Sequence, residues 1–198
     1  MSKLDTVKYV PSPDSLQDTV LRAAVSIVAS SGPDDLSLRE VARTAGVSHQ
    51  APYHHFKDRE GLFAAISEQG FTLLADSLHM TKSPTREALF VAYVTFALRH
   101  PGHFRVMFRK DICNLEQYPA ALMQADRAFG ALADFVSRDL NETATIDEIR
   151  MTATYMWSVA HGLATLLLDG PLEKKIGEIS DLDEFVMKIA HLANRSLR

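Results

Sequence analysis

Between Leu36 and Leu62 the chain reads LSLREVARTAGVSHQAPYHHFKDREGL, and this stretch limits the fold more than any other. Ser37 followed three residues later by Glu40 predicts a capping box, with hydroxyl and carboxylate each meeting an orphan backbone N–H. Leu38, Val41, Ala42 and Ala45 then recur at helical spacing, with Arg39 and Arg43 on the other face. Gly46 ends this helix, because it tolerates the left-handed conformation of a C′ position. Val47 reads as the apolar plug of the turn and Ser48 as the cap of the next helix. A turn this short forces a steep crossing, and Ala42 lets the two backbones approach. The helices are expected at about 38–45 and 49–55, forming a helix-turn-helix. Pro52 lacks an N–H, so the second of them should start tight or irregular.

The same residues resemble the N-terminal domain of the TetR/AcrR family of transcriptional regulators. The likeness rests on the L-x-x-V-A-x-x-A-G-V-S core, Tyr53, the pair His55-Phe56, and Lys57-Asp58 opening the next helix. It spans about residues 14–74 and implies a DNA-binding domain whose second helix enters the major groove. On that resemblance His49, Gln50, Ala51 and Tyr53 face base edges. Gln pairs with adenine, Ala touches a thymine methyl, and His donates or accepts. Ser48, Tyr53, His54 and the Lys57 amine are placed for phosphates, with Ser37 and Arg39 at the start of the preceding helix. A charged His49 or His54 below about pH 6.5 would strengthen that binding. The competing reading is a purely structural helix pair, in which exposed His and Gln carry no meaning.

Charge does not mark the DNA-binding end. The net charge is −4, and residues 1–75 hold seven Lys and Arg against nine Asp and Glu. Attraction to DNA would have to be local, through Lys57, Arg59 and helix N-termini, so weak non-specific binding is expected. At 198 residues, 46% hydrophobic and 23% charged, the chain suits one or two globular domains with a real core. Cys113 is the lone cysteine, which excludes an internal disulfide and suits a reducing cytoplasm. MSKLDTVKYVPSP has no apolar core of a secretory signal. The longest apolar-rich run, Ala88 to Leu98, is about half the ~20 residues a membrane helix needs. The expectation is a cytoplasmic protein with no membrane partner.

The fold class expected is all-α, with about nine helices and no strand. A first helix starts at Asp14 or Ser15, buries Val20, Ala24, Ile27 and Val28, and stops at Ser31-Gly32-Pro33. Residues 1–13 read as a loose arm. A long helix runs from near Asp58 to Leu78, joining the small domain to a second one over residues 80–198. Ser83-Pro84 should cap a helix over 85–99, HPGH should break that helix, and a short helix 104–109 should follow. Pro119 opens a helix to about Leu140. Thr145 with Glu148 opens one ending at Asp169-Gly170-Pro171, and Ser180 with Asp183 caps the last.

MWSVAHGLA, with HPGHFRVMF upstream, is similar to the WHG-type ligand domain of one branch of TetR regulators, through Trp157, His161 and Gly162. Tyr93, Phe96, Phe104, Met107, Phe108, Phe129, Tyr155, Trp157 and His161 are candidate lining of an apolar effector pocket, although any one of them could equally be core. Arg105, Arg109 and Lys110 either face an acidic group or lie on a solvated surface. His54 with His55, and His100 with His103, lack the partners and spacing of a metal site; His55 reads as packing beside Phe56, and the latter pair as turn histidines capping carbonyls. There is no G-x-S-x-G, Gly-rich phosphate loop or H-E-x-x-H, so no catalytic residue, metal or cofactor is expected.

The family resemblance implies a homodimer joined by the last two long helices, about 146–168 and 181–196, with a stripe of Met156, Val159, Leu163, Leu166, Leu167, Phe185, Ile189 and Leu192. Two-fold symmetry would pair it with a near-palindromic double-stranded operator whose half-sites lie ~34–36 Å apart. A small effector in the C-terminal pocket would swing the fourth helix and release the operator, as in a repressor. Two alternatives stay open: a small-molecule binder with a vestigial head, and a regulator acting by protein contact alone.

Overall fold

The computed structural model describes residues 15–81, 85–140, 143–170 and 172–195. The expected N-terminal arm, the Ser83-Pro84 cap and the stop at Pro171 lie outside the described residues. Among the described residues there are ten α-helices, one 3₁₀ turn and no strand. The head consists of α1 (Leu16–Ser31), α2 (Leu38–Ala45) and α3 (Ala51–Phe56), and α4 (Arg59–His79) leads out of it. The remaining helices are α5 (Arg86–Arg99), α6 (Pro101–Met107), α7 (Pro119–Asp139), α8 (Ile146–Leu168), α9 (Leu172–Ile176) and α10 (Leu182–Arg195).

Local chemistry sets most of the boundaries. Ser15 and Asp18 form a reciprocal capping box on α1, and Gly32 ends that helix at φ 84°. Gly46 is left-handed, φ 67° and ψ 29°, as its C′ position requires. Asp58, Thr85 and Thr145 each accept the N3 amide of the helix they open, and Glu148 completes the box at Thr145.

Several boundaries differ from expectation. Ser37 caps α2 through its hydroxyl alone; Glu40 turns instead toward Arg43 at 3.7 Å. Ser48 does not cap α3: its carbonyl takes the Ala51 amide in a turn, and the helix begins two residues late with Pro52 in its first turn. The delay follows from the amide that Pro52 lacks. HPGH does break the helix, at His100, but the short helix that follows begins at Pro101 and not at Phe104, because proline opens α6 at a position where a missing N–H costs nothing. His103 is therefore a helical residue, 7% exposed, rather than a turn histidine. The last helix is capped by Asp181, which accepts from Glu184 N at 2.8 Å, and not by Ser180. Five residues after Pro171 form α9, too short to carry a periodic signal.

Two hydrophobic cores result, and α4 serves both. Leu62, Phe63, Ala64 and Ile66 pack with α1 and α2, while Phe71, Leu74, Ala75 and Leu78 pack with α5, α7 and α8. Val106 and Cys113, from the C-terminal part, also lie in the head core. Between the cores, α6 lies close to both α1 and α4. Gly102 faces the Val25 carbonyl of α1 with no room for a Cβ, and Gly70 of α4 lies against the side chains of Met107 and His103, where a Cβ would have to push the Met107 thioether aside. Arg105 fastens the same junction: it donates to Ala29 O at 2.5 Å and to Asp169 at 2.6 Å, tying α6 to the ends of α1 and α8. Among the described residues no helix is long and apolar enough to cross a membrane.

Candidate nucleic-acid interface and apolar cavity

The outer face of the head is built by the turn 47–50 and by α3. Ser37, Arg39, Ser48, His49, Gln50, Tyr53, His54 and Lys57 are all exposed there, Tyr53 by 45%. A six-residue helix holds this face because its other side is anchored: Ala51, Pro52 and Phe56 are buried against the head core. That corrects one assignment. Ala51 is 5% exposed and points inward, so a thymine methyl cannot reach it. His55 is exposed too, its ring 6.2 Å from that of Phe56. Arg59 is likewise occupied internally, donating to Pro33 O at 2.7 Å and Asp34 O at 2.8 Å, and so holds the first turn of α4 against the α1–α2 turn.

Lys57 leaves α3 in an unusual conformation. Its φ is 64° and ψ −57°, and Asp58 N donates to Phe56 O at 2.6 Å, which together make a γ-turn of the strained positive-φ kind. The turn brings Lys57 to the surface directly after Tyr53 and His54, and Asp58 immediately caps α4.

In the C-terminal part a cavity of about 550 Å³ opens among α4, α5, α6, α7 and α8. Of the nine residues proposed from sequence, Tyr93, Met107, Phe108, Phe129 and Trp157 line it. Phe96 is 2% exposed and packs beside His100 in the core. Phe104 is buried edge-on to Tyr93, and Tyr155 packs half-buried on the core, so these three do not reach the cavity. His161 stands behind the wall. The Tyr93 hydroxyl accepts from Trp157 Nε1 at 3.0 Å and lies 2.9 Å from His161 Nδ1. A Tyr93 proton given to His161 Nδ1 leaves a neutral imidazole with hydrogen on Nε2. Burial pushes the pKa of His161 down and that of Tyr93 up, keeping both uncharged. Phe108 closes the cluster, with its ring 4.8 Å from His161 and 5.7 Å from Trp157.

Sequence reasoning missed the contribution of α4 and of the segment after α6. Phe71, Leu74 and Leu78 line the cavity, as do Lys110, Cys113, Asn114, Leu115 and Glu116. The α4 residues were legible as an apolar stripe, but nothing in a stripe says whether it faces a core or a cavity. Among the described residues no group of three His, Cys, Asp or Glu could hold a metal.

Residues 20–66, which contain the whole outer face of the head, match the bacterial regulatory proteins of the tetR family. Residues 87–191 match the tetracyclin repressor-like C-terminal domain, and this second match covers more than half of the chain. The protein belongs to the TetR family.

As a TetR-family protein it is a transcriptional regulator with a DNA-binding helix-turn-helix head. Its C-terminal match is broader than the WHG-type resemblance read from Trp157, His161 and Gly162. Solved structures agree over nearly the full length. A protein of unknown function from Rhodococcus sp. RHA1 is 30% identical, covers 96% of this chain and 98% of its own, and has a TM-score of 0.72. A tetR-family regulatory protein from Rhodococcus RHA1 shares 18% identity over 92% of this chain and 97% of its own, with a TM-score of 0.70. The fatty acid degradation regulator FadR from Bacillus halodurans shares 15% over 92% and 96%, with a TM-score of 0.68. In the last two the likeness is one of fold. Within the matched head, the exposed set Gln50, Tyr53, His54 and Lys57 lies on or beside α3.

Proposed function

We propose that this TetR-family regulator is a homodimeric repressor, released from a near-palindromic operator when a small apolar effector fills the C-terminal cavity. Residues 14–74 would bind DNA, and 80–198 would hold the effector and the partner subunit. The observation that carries the reading is the cavity itself. Its volume of about 550 Å³ lies in the range of ligand sites, and apolar and aromatic side chains make up most of its wall. One of those walls is α4, the helix that also packs the head.

A partner subunit has a plausible seat on α8 and α10. Of the stripe expected there, Met156 and Leu163 are buried in the chain's own core and so are withdrawn from any interface. Met151, Thr154, Ser158, Gly162, Thr165 and Leu166 are among the residues exposed along α8, with Met187 and Leu192 exposed on α10. Small residues on one helix and apolar bulk on the other suit close helix packing. For DNA, Gln50 and Tyr53 supply base-edge and phosphate contacts, and His49, His54 and Lys57 flank them.

The test is selection of genomic fragments by purified protein at near-physiological salt, followed by sequencing. The expected result is an enriched near-palindrome. With Tyr53→Ala its retention should fall about 5–100-fold while the melting temperature stays put, since Tyr53 is exposed. Failure of the folded wild-type chain to enrich any sequence, with and without candidate apolar ligands, would overturn the reading.

A further inference from the structure

The segment 109–118, between α6 and α7, is at once a wall of the cavity and a wall of the head. Lys110, Cys113, Asn114, Leu115 and Glu116 line the cavity. Cys113 is 4% exposed and belongs to the head core, against which Ile112, Leu115 and Tyr118 also pack. The segment is latched at its start and at its middle. Arg109 reaches Asp34 in the α1–α2 turn at 3.4 Å and pairs with Asp111. Asn114 N donates to Glu60 Oε1 at 3.1 Å, and Glu60 sits in the first turn of α4, three residues from Lys57. The groups that face the cavity also define what it accepts. Tyr93 already uses its hydroxyl on Trp157 and His161, and the charged groups around the opening, Lys110, Glu116 and Asp126, are exposed. A charged group placed deep inside would lose its water and gain no partner.

We propose that an uncharged apolar molecule in this cavity acts on the 109–118 segment, displacing Leu115 and Cys113 and breaking the Asn114–Glu60 hydrogen bond, so that the first turn of α4 and the adjoining recognition turn are freed. This rests on the reading of the cavity as the effector site. It adds the class of ligand and the element that senses it. The route is short, since the same residues touch the occupant and the head, and no movement of the far end of α4 is needed to start it.

The chain carries its own two reporters. Trp157 is the single tryptophan and lines the cavity, and Cys113 is the single cysteine. Burial first and the Glu60 carboxylate second push the Cys113 thiol up to about 11, so a latched segment leaves it nearly inert to alkylation. The test uses full-length protein and N-phenyl-1-naphthylamine, a neutral apolar fluorophore. Energy transfer from Trp157 reports occupancy, and the rate of iodoacetamide labelling of Cys113 reports release of the segment. Saturating probe should raise the labelling rate about fivefold or more. The sulfonated analogue 1-anilinonaphthalene-8-sulfonate should bind at least about tenfold more weakly. Without probe, Glu60→Ala should label faster than wild type by a clear margin. Glu60→Gln removes the charge but keeps an oxygen acceptor, and should label more slowly than Glu60→Ala. Energy transfer with an unchanged or reduced labelling rate overturns the proposal, as does identical labelling of the two Glu60 variants. Equal affinity for both fluorophores overturns the ligand class. Absence of energy transfer overturns the effector-cavity reading instead, and the Glu60 pair still decides the latch.

Discussion

Gly61 lays its α-carbon directly under the carbonyl oxygen of Phe56, so closely that a Cβ has no place to stand. The γ-turn at Lys57 produces the contact by aiming that carbonyl back across the start of α4. Gly61→Ala must therefore push α3 away from α4 or dismantle the turn. The expected loss of stability is about 2–4 kcal/mol, read from the urea midpoint, with the buried position of Phe56 lost in the same step.

Lys57 offers the opposite case. A non-glycine residue at φ 64° carries strain that glycine does not. Lys57→Gly should raise stability by up to about 1 kcal/mol, net of its greater freedom when unfolded, and at the same time weaken operator binding by removing the amine. Thermal melts and binding titrations of one variant would thus move in opposite directions. Lys57→Ala, which keeps the strain, should weaken binding without the gain.

Tyr93→Phe removes a single oxygen and strands two groups. Trp157 Nε1 loses its acceptor and His161 Nδ1 loses its partner, both part-buried within a cluster of rings. A cost of about 1–3 kcal/mol is expected from unfolding curves. Trp157 emission should shift as well, because it is the only indole in the chain.

Acid should loosen the junction between head and cavity. His103 is wedged between α4 and α6, with Nε2 2.8 Å from Gln69 Oε1 and Nδ1 buried without a partner. Burial, with His100 beside it, pushes its pKa down to about 4. The unfolded chain, with an ordinary histidine near 6.5, binds the proton more readily, so stability is complete above that value and falls as pH drops toward 4. The loss should be on the order of 2 kcal/mol, and His103→Gln should flatten the dependence between pH 7 and 5. An unchanged slope in that variant would assign the acid sensitivity elsewhere.

The local signals in the sequence translated well where a single residue decides the geometry. Gly46, Asp58 and the Thr145–Glu148 box each fix a boundary by their own chemistry, and each stands where the sequence placed it. Ser48 shows the limit. Its side chain suits a cap, but Pro52 four residues on withholds an amide and delays the helix, so one local preference is overridden by another. At HPGH the break came where expected, but the next helix starts three residues early, since proline both ends one helix and begins another. The aromatic residues were harder still. Phe104 and Phe108 are one helical turn apart, yet one is core and the other cavity wall, and only the position of α8 behind them decides which. The 109–118 segment had no periodicity to read, and its double contact is created entirely by tertiary packing.

The two glycine contacts along α6 differ in their mechanics. Side chains between helices act as cushions, because rotamers can readjust and absorb a small displacement. At Gly102 there is no such cushion, and α6 rests on the Val25 carbonyl backbone to backbone. At Gly70 the α4 backbone meets the Cγ and Sδ of Met107, a flexible thioether that can yield. The seam between α6 and α1 therefore passes on a shift undamped or not at all, whereas the seam between α6 and α4 is cushioned. Met107 also lines the cavity, so the smallest occupant that can be felt in the head is one whose push exceeds what this single side chain can absorb.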